Sequence, residues 1–193
     1  MVDLASAAAA IGEGEVVVYP TETVYGLAAD ALSPAAVERV FAVKGRDRDK
    51  PISLAVPDVE AATEHIGPNA REERFMRAFL PGPVTVLVAA HGTVPDVLTA
   101  GEDRVGVRVP DHPTALALLR KVAPLTATSA NVSGEPSARR IEAIDPAVRE
   151  ASATVIDGGE LPGTESTVVD VATDTIHRRG ARADEIATWL AEH

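Results

Sequence analysis

The sequence predicts an α/β fold with a twisted, mostly mixed β-sheet and helices packed on the sheet. Short runs of β-branched residues alternate along the chain with amphipathic helical stretches, a pattern typical of sheets covered by helices. The 193 residues are 46% hydrophobic and 24% charged, which is enough for one sizeable core. No internal repeat, low-complexity tract or linker interrupts the pattern. We therefore expect a single domain over residues 1–193.

Hydrophobic periodicity and capping residues predict the elements of the first half. Ser33 before Pro34 is typical of a helix start, and Gly45 of a helix end. Lys44 shares a face of this helix with the apolar side chains, so we expect its stem to point inward. The predicted strands are Glu15–Tyr19, Ile52–Val56 and Val84–Ala89, and the further helices are Val59–Ile66 and Asn69–Leu80, the latter ended by the turn at Pro81–Pro83.

The second half continues the same alternation. We expect His112, just before Pro113, to start a helix rather than to act as a base. The predicted strands are Val105–Val109, Leu125–Thr128, Thr154–Ile156, Thr167–Val171 and Thr175–Arg178. The predicted helices are Thr114–Val122, one near Ile141–Glu150, and Asp184–Ala191.

Composition and charge exclude several classes of function. The formal net charge is −11, with 29 acidic and 18 basic residues, whereas proteins that grip a phosphate backbone non-specifically are usually basic. We therefore expect any nucleic acid to be contacted at most weakly and indirectly. The absence of cysteine excludes disulfides, thiolate metal sites and cysteine nucleophiles. With no long apolar run and no recognisable signal peptide, we expect a cytoplasmic protein without a membrane partner.

Familiar catalytic motifs are absent from the sequence. It contains no G-x-x-x-x-G-K-[ST], no G-x-G-x-x-G after a strand, and no G-x-S-x-G. The five histidines are scattered without the spacing of metal ligands, so we expect no metal site. These absences disfavour the common ATPases, the Rossmann dehydrogenases and the serine hydrolases.

Five polar segments remain as candidate binding loops, and each also has a purely structural explanation. Pro20–Leu27 and Thr128–Gly134 suit a small polar ligand or an anion, or are turns with local hydrogen bonds. Lys44–Lys50 has four cations in seven positions. These cations either bind a polyphosphate, or they offset the helix dipole and form local ion pairs. The two hydroxyls of Ser166–Asp170 either bind a ligand or simply mark the start of a strand. The arginines of Arg178–Gly180 bind a ligand or form a solvated edge.

The order and combination of these segments are far more specific than any one of them. PTETVYGL, KGR, FLPGPVTV, VGVRVP, TSANVSG, STVVD and RRG together resemble the YrdC-type L-threonylcarbamoyladenylate synthase family from Glu15 to Gly180. Longer members carry an extra C-terminal domain, so this chain is similar to the short, single-domain form. The resemblance implies a concave sheet that holds ATP and L-threonine in one cavity. It also implies formation of threonylcarbamoyl-AMP and pyrophosphate from L-threonine, bicarbonate or CO₂, and ATP, for tRNA threonylcarbamoyladenosine next to the anticodon.

The resemblance further implies roles for individual residues. Lys44 and Arg46 would be catalytic, facing the ATP phosphates. The implied ATP-binding residues are Lys44, Arg46, Lys50, Asn131, Arg139 and Arg178, and the implied threonine-binding residues are Thr23, Arg108, Ser129 and Ser166. Mg²⁺ would be carried by ATP, with no metal ligands from the protein. A downstream threonylcarbamoyl transferase complex would take the product.

Two departures from the family pattern leave alternatives open. Ala55 stands where many longer members have a histidine, with Lys50 in place of an asparagine before it, and Arg179 stands where a proline usually separates arginine and glycine. A relative that acts on a different carbamoyl acceptor is therefore one alternative. Another is a YrdC-fold RNA-binding module, which predicts a basic face with stacking aromatics. The aromatic content of 3% and the charge of −11 disfavour that module.

Overall fold

The structure, a computed structural model, describes residues 4–193. Its helices are α1 (Leu4–Gly12), α2 (Pro34–Lys44), α3 (Val59–Ala62), α4 (Ala70–Phe79), α5 (Asp96–Thr99), α6 (Pro113–Val122), α7 (Pro146–Glu150) and α8 (Ala183–Glu192). Its strands are β1 (Val17–Pro20), β2 (Tyr25–Ala28), β3 (Ser53–Ala55), β4 (Val84–Ala89), β5 (Arg104–Arg108), β6 (Leu125–Ser129), β7 (Thr154–Val155), β8 (Thr167–Asp170) and β9 (Thr175–Arg178). None of these helices is long and apolar enough to cross a membrane.

The strands form one mixed sheet in the order β7-β1-β2-β6-β3-β5-β4-β8-β9. The pairs β1–β7, β3–β5 and β4–β8 are parallel, and the other neighbouring pairs are antiparallel. The prediction of a mostly mixed sheet with helices packed on it is confirmed.

The two faces of the sheet have different coverings, because successive side chains of a strand point to opposite faces. One face is buried throughout under α2, α4 and α8, with Val86, Val107 and Val169 fully covered. On the other face, α1 and α6 cover only one part, where Leu118 packs against a cluster that includes Leu125. The rest of that face is open, and it is here that the polar segments converge.

Capping residues set the helix boundaries as the sequence predicts. The side chain of Ser33 accepts a hydrogen bond from the Ala36 amide at the start of α2. Gly45 ends α2 in the left-handed region at φ 56°, a conformation that costs glycine little. His112 Nδ1 accepts from the Thr114 amide at 3.2 Å, so its expected place at a helix start is confirmed.

The structure differs from the predicted secondary structure at several places, including helix α5, where no element was predicted. Helix α1 escaped notice because its alanine-rich sequence has almost no polar–apolar alternation, although alanine favours helix. Strand β2 begins inside Pro20–Leu27, the segment expected to be only a loop, and ends one residue beyond it. The helix expected near Ile141–Glu150 is a 3₁₀ turn followed by α7, because Pro146 cannot continue a helix and starts a new one after Asp145. Helix α3 ends at Ala62 instead of continuing to Ile66.

Candidate functional site

The uncovered part of the sheet forms a cavity of about 370 Å³. Its floor comes from the central strands β3, β4, β5 and β6, and its walls come from the loops after β1 and before β8 and from the end of β9. Because these are strand ends and the edges of loops, the cavity collects backbone and hydroxyl groups together with several guanidinium groups. Six of the residues with predicted roles line it: Thr23, Arg46, Arg108, Ser129, Ser166 and Arg178.

The other four residues with predicted roles lie outside this lining. Lys44 is buried behind the cavity, and Asn131 lines an adjoining depression that also contains Ser137. Lys50 is exposed and pairs with Asp47 at 2.6 Å. Arg139 is also exposed, pairs with Glu160 at 3.3 Å, and donates through Nε to the carbonyl of Leu161. The proposed ATP contacts of Lys50 and Arg139 stay predictions.

Arg108, near the end of β5, is held by the loop that follows β1. Its Nη2 donates to Thr23 Oγ1 at 2.7 Å and to Glu22 Oε1 at 2.9 Å. The Arg108 and Glu22 side chains are each only 14% exposed, so their attraction is screened less than at the surface. Nη1 makes no hydrogen bond to residues 4–193 and is the nitrogen left for a ligand.

Lys44 joins α2 to the loop after β6. Its Nζ donates to the carbonyl of Asn131 at 2.7 Å, to Asn131 Oδ1 at 3.3 Å, and to the carbonyl of Ser129 at 2.5 Å. Burial, helped by the nearby charge of Arg46, lowers the pKa of Lys44 from 10.5 to about 8. Ser129 Oγ donates in turn to Asn131 Oδ1. A buried ammonium therefore fixes the shape of this loop.

Two arginines give the cavity an excess of positive charge. Arg46 donates to the carbonyls of Lys50 and Pro51, each at 3.0 Å. Arg178 donates to the Ser166 carbonyl at 3.0 Å and to Ser166 Oγ at 2.7 Å. Neither guanidinium lies within 4 Å of a carboxylate oxygen in the part of the chain that the structure describes. In a protein with a net charge of −11, these groups make a local site for an anion.

Sequence reasoning missed several residues that line the cavity. Arg104 donates through Nη2 to Glu72 at 2.9 Å and to Asp170 at 3.1 Å, which ties α4 and β8 to the cavity edge. Ser53 and Thr85 flank the floor. The sequence VGVRVP could have indicated this floor. Its valines alternate with Gly106 and Arg108, so Gly106 and Arg108 point to the opposite face of the strand from the buried valines. Ala55, by contrast, is fully buried in the cluster under α6.

No group of three His, Asp or Glu side chains in residues 4–193 comes together in a way that could hold a metal ion. Two carboxylates next to the cavity are engaged by arginines, Glu22 by Arg108 and Asp170 by Arg104, whereas Glu165 on the lining forms no ion pair with the described residues. The arrangement can therefore bind anions and hold a polar ligand beside them with its own cations and hydroxyls.

The chain is similar to known proteins over nearly its whole length. It is 40% identical over 178 residues to the threonylcarbamoyl-AMP synthase of Bacillus subtilis, covering 89% of this chain and 51% of that protein. It is 42% identical over 169 residues to the threonylcarbamoyl-AMP synthase of Pyrococcus abyssi, covering 86% and 49% respectively. The chain thus spans about half the length of the curated relatives it matches.

The fold likeness is equally extensive. The crystal structure of P. abyssi Sua5 complexed with L-threonine superposes with a TM-score of 0.88 at 38% identity, covering 98% of this chain and 57% of the other. The Sua5/yciO/yrdC family model, described as Telomere recombination, matches residues 9–180. The match takes in both cavity walls and the floor between them, and the chain belongs to the Sua5/YciO/YrdC family.

Proposed function

We propose that the chain is an L-threonylcarbamoyladenylate synthase. The observation that carries the proposal is the presence of two arginines without a carboxylate partner, Arg46 and Arg178, in one cavity with Arg108. Such a cavity suits two anions held side by side, a nucleotide polyphosphate and an amino-acid carboxylate. The names of the relatives and the threonine complex of P. abyssi Sua5 support the same reaction.

The nucleotide half of the proposed site comprises Arg46, which follows α2, the loop after β6, and Arg178 from the end of β9. Arg46 and Arg178 would bind the phosphates, and the loop that Lys44 holds would present backbone amides beside them. Asn131 would contribute from the adjoining depression. Fixed donors of this kind stabilise charge that develops in the transition state without having to reorganise.

The amino-acid half is centred on Arg108. Its free Nη1 would bind the threonine carboxylate, while Thr23 and Glu22 hold the guanidinium in place. Ser166 lines the same cavity and would contribute its hydroxyl, which Arg178 Nη2 holds by donating to it. Threonine placed here would have its amine close to the phosphates.

The proposed chemistry needs no covalent intermediate with the protein. The amine of threonine adds CO₂ and releases a proton, which gives a carbamate. A carbamate oxygen then attacks the α-phosphorus of ATP in line, the bond to the bridging oxygen breaks, and pyrophosphate leaves. Alignment of the two reactants in one cavity can be worth about 7–11 kcal/mol. Mg²⁺ would enter as part of the MgATP substrate, bound to phosphate oxygens.

The product would pass to a downstream threonylcarbamoyl transferase complex that modifies tRNA. Direct tRNA contact would be weak, because the chain has 29 acidic and 18 basic residues. This reaction sequence implies a cytoplasmic location, where ATP, threonine and tRNA are available together.

Pyrophosphate release tests the proposal. Purified protein is given ATP, with L-threonine or bicarbonate omitted in turn, and release is expected only when both are present. Arg46→Ala should lower turnover more than tenfold, or about 1.4 kcal/mol in the barrier, whereas exposed Arg149→Ala should leave it unchanged. Release that ignores threonine would contradict the substrate assignment. Salt-dependent tRNA binding without ATP binding would instead support an RNA-binding module.

A further inference from the structure

The cavity floor beside Arg108 is built around a glycine. Gly106 lies two residues before Arg108 in β5, so both positions face the cavity. A Cβ atom on Gly106 would lie 2.3 Å from Ser53 Oγ and 2.9 Å from Thr85 Cγ2. The side chains of Ser53 in β3 and Thr85 in β4 therefore close over the space that the glycine leaves free.

The hydroxyls of Ser53 and Thr85 have no hydrogen-bond partner within residues 4–193, although Thr85 is only 5% exposed. Other buried threonines are satisfied: Thr126 Oγ1 donates to the Leu27 carbonyl at 3.2 Å, and Thr167 Oγ1 to the Ala181 carbonyl at 2.7 Å. Both residues line the cavity and neither oxygen is sealed inside the protein, so both hydroxyls are free to donate to, or accept from, a ligand on the cavity floor.

The position of this pair relative to Arg108 indicates which part of a ligand it meets. Arg108, Gly106, Ser53 and Thr85 line one cavity. An amino acid whose carboxylate binds Arg108 Nη1 can therefore be placed with its side chain toward this floor. Ala55, the next residue of β3 on this face, is fully buried under α6 and offers no polar side-chain group.

We infer that Ser53 and Thr85 recognise the side-chain hydroxyl of the acceptor amino acid. The cavity thereby selects a short β-hydroxy amino acid over an apolar one of the same size. The inference rests on the proposed function and assigns its acceptor specificity to two residues. An apolar analogue bound in the same place would make no hydrogen bond to either floor hydroxyl. Sites that hydrogen-bond a substrate hydroxyl discriminate strongly against analogues that lack this hydroxyl.

The test compares L-threonine with L-2-aminobutyrate, which keeps the carbon skeleton and lacks the hydroxyl. Pyrophosphate release gives kcat/KM for each amino acid with wild type, Ser53→Ala, Thr85→Val and the double variant. Matched controls are Ser152→Ala and Thr188→Val, whose hydroxyls donate to backbone carbonyls of their own segments, outside the cavity. Calorimetric titration of threonine without ATP provides a second readout, and thermal melts check the fold.

We expect each single variant to lose roughly 2- to 13-fold in kcat/KM for threonine, the range for one neutral hydrogen bond, and to keep its value for 2-aminobutyrate. The double variant should lose most of the preference for threonine, and the controls should keep it. An unchanged preference in the double variant, in an enzyme that still uses threonine, overturns the inference and leaves the proposed function standing. Wild-type protein that releases no pyrophosphate with threonine overturns both.

Discussion

The buried ammonium of Lys44 should give the enzyme a pH limit near 8. Its Nζ holds two backbone carbonyls of the loop after β6, so the loop keeps its shape only while the lysine is protonated. Burial lowers the pKa to about 8 in the folded protein. With that value about nine-tenths of the molecules are protonated at pH 7 and about one-tenth at pH 9, so kcat/KM for ATP should fall about tenfold between them.

The assay is the pH profile of kcat/KM for ATP at saturating threonine and bicarbonate. Lys44→Arg should remove the descending limb near pH 8, because a guanidinium stays charged throughout the range. Lys121→Arg, a change at an exposed lysine at the end of α6, is the matched control and should keep the limb. If kcat/KM for ATP still falls near pH 8 in Lys44→Arg, or if the wild-type profile is flat up to pH 9.5, protonated Lys44 does not hold the loop after β6 in its active shape.

Unfolding free energies give a second readout that does not depend on activity. The folded chain releases this proton near pH 8, whereas the unfolded chain keeps it up to about pH 10.5. The burial penalty of about 3 kcal/mol is thus fully present below pH 8 and is relieved as the pH rises to 10.5. The stability of wild type relative to Lys44→Met should rise across this window, and a constant difference would contradict the assigned pKa.

Two further substitutions test the floor and the edge of the cavity. Gly106→Ala places a methyl group 2.3 Å from the nearest side-chain oxygen, so KM for threonine should rise at least tenfold with KM for ATP unchanged; equal effects on both would point to general distortion. Arg104→Met leaves the carboxylates of Glu72 and Asp170 without their cation, and urea unfolding should show a loss of about 3 kcal/mol. Arg149→Met, at an exposed arginine, should cost less than 1 kcal/mol, and a similar value for Arg104→Met would contradict the role of the cluster.

The main elements of the fold could be predicted because they depend on local chemistry. Ser33, Gly45 and His112 act through hydrogen bonds within a few residues, and their roles follow from sequence neighbours alone. Helix α1 was missed because alanine carries no amphipathic signal. Strand β2 was missed because polar turn residues precede it within the same segment. That the chain is one domain stays a prediction.

The site could be predicted only in part, because its residues come together through strand pairing. The order of motifs identified Arg46, Arg108 and Arg178, which the sheet brings into one cavity. It gave no indication that Ser53 and Thr85 would both lie beside Gly106, since their strands are separated by β5. Such neighbours are set by the register of distant segments rather than by any local pattern.

We propose that one cavity joins threonine, CO₂ and the adenylate of ATP. The most direct measurement supplies ¹³C-bicarbonate, ¹⁵N-threonine and ATP, and analyses the nucleotide products by mass spectrometry immediately after the reaction. A single adenylate that carries both labels is expected, in amounts equal to the pyrophosphate released. Unlabelled AMP, or pyrophosphate without any doubly labelled adenylate, would contradict it.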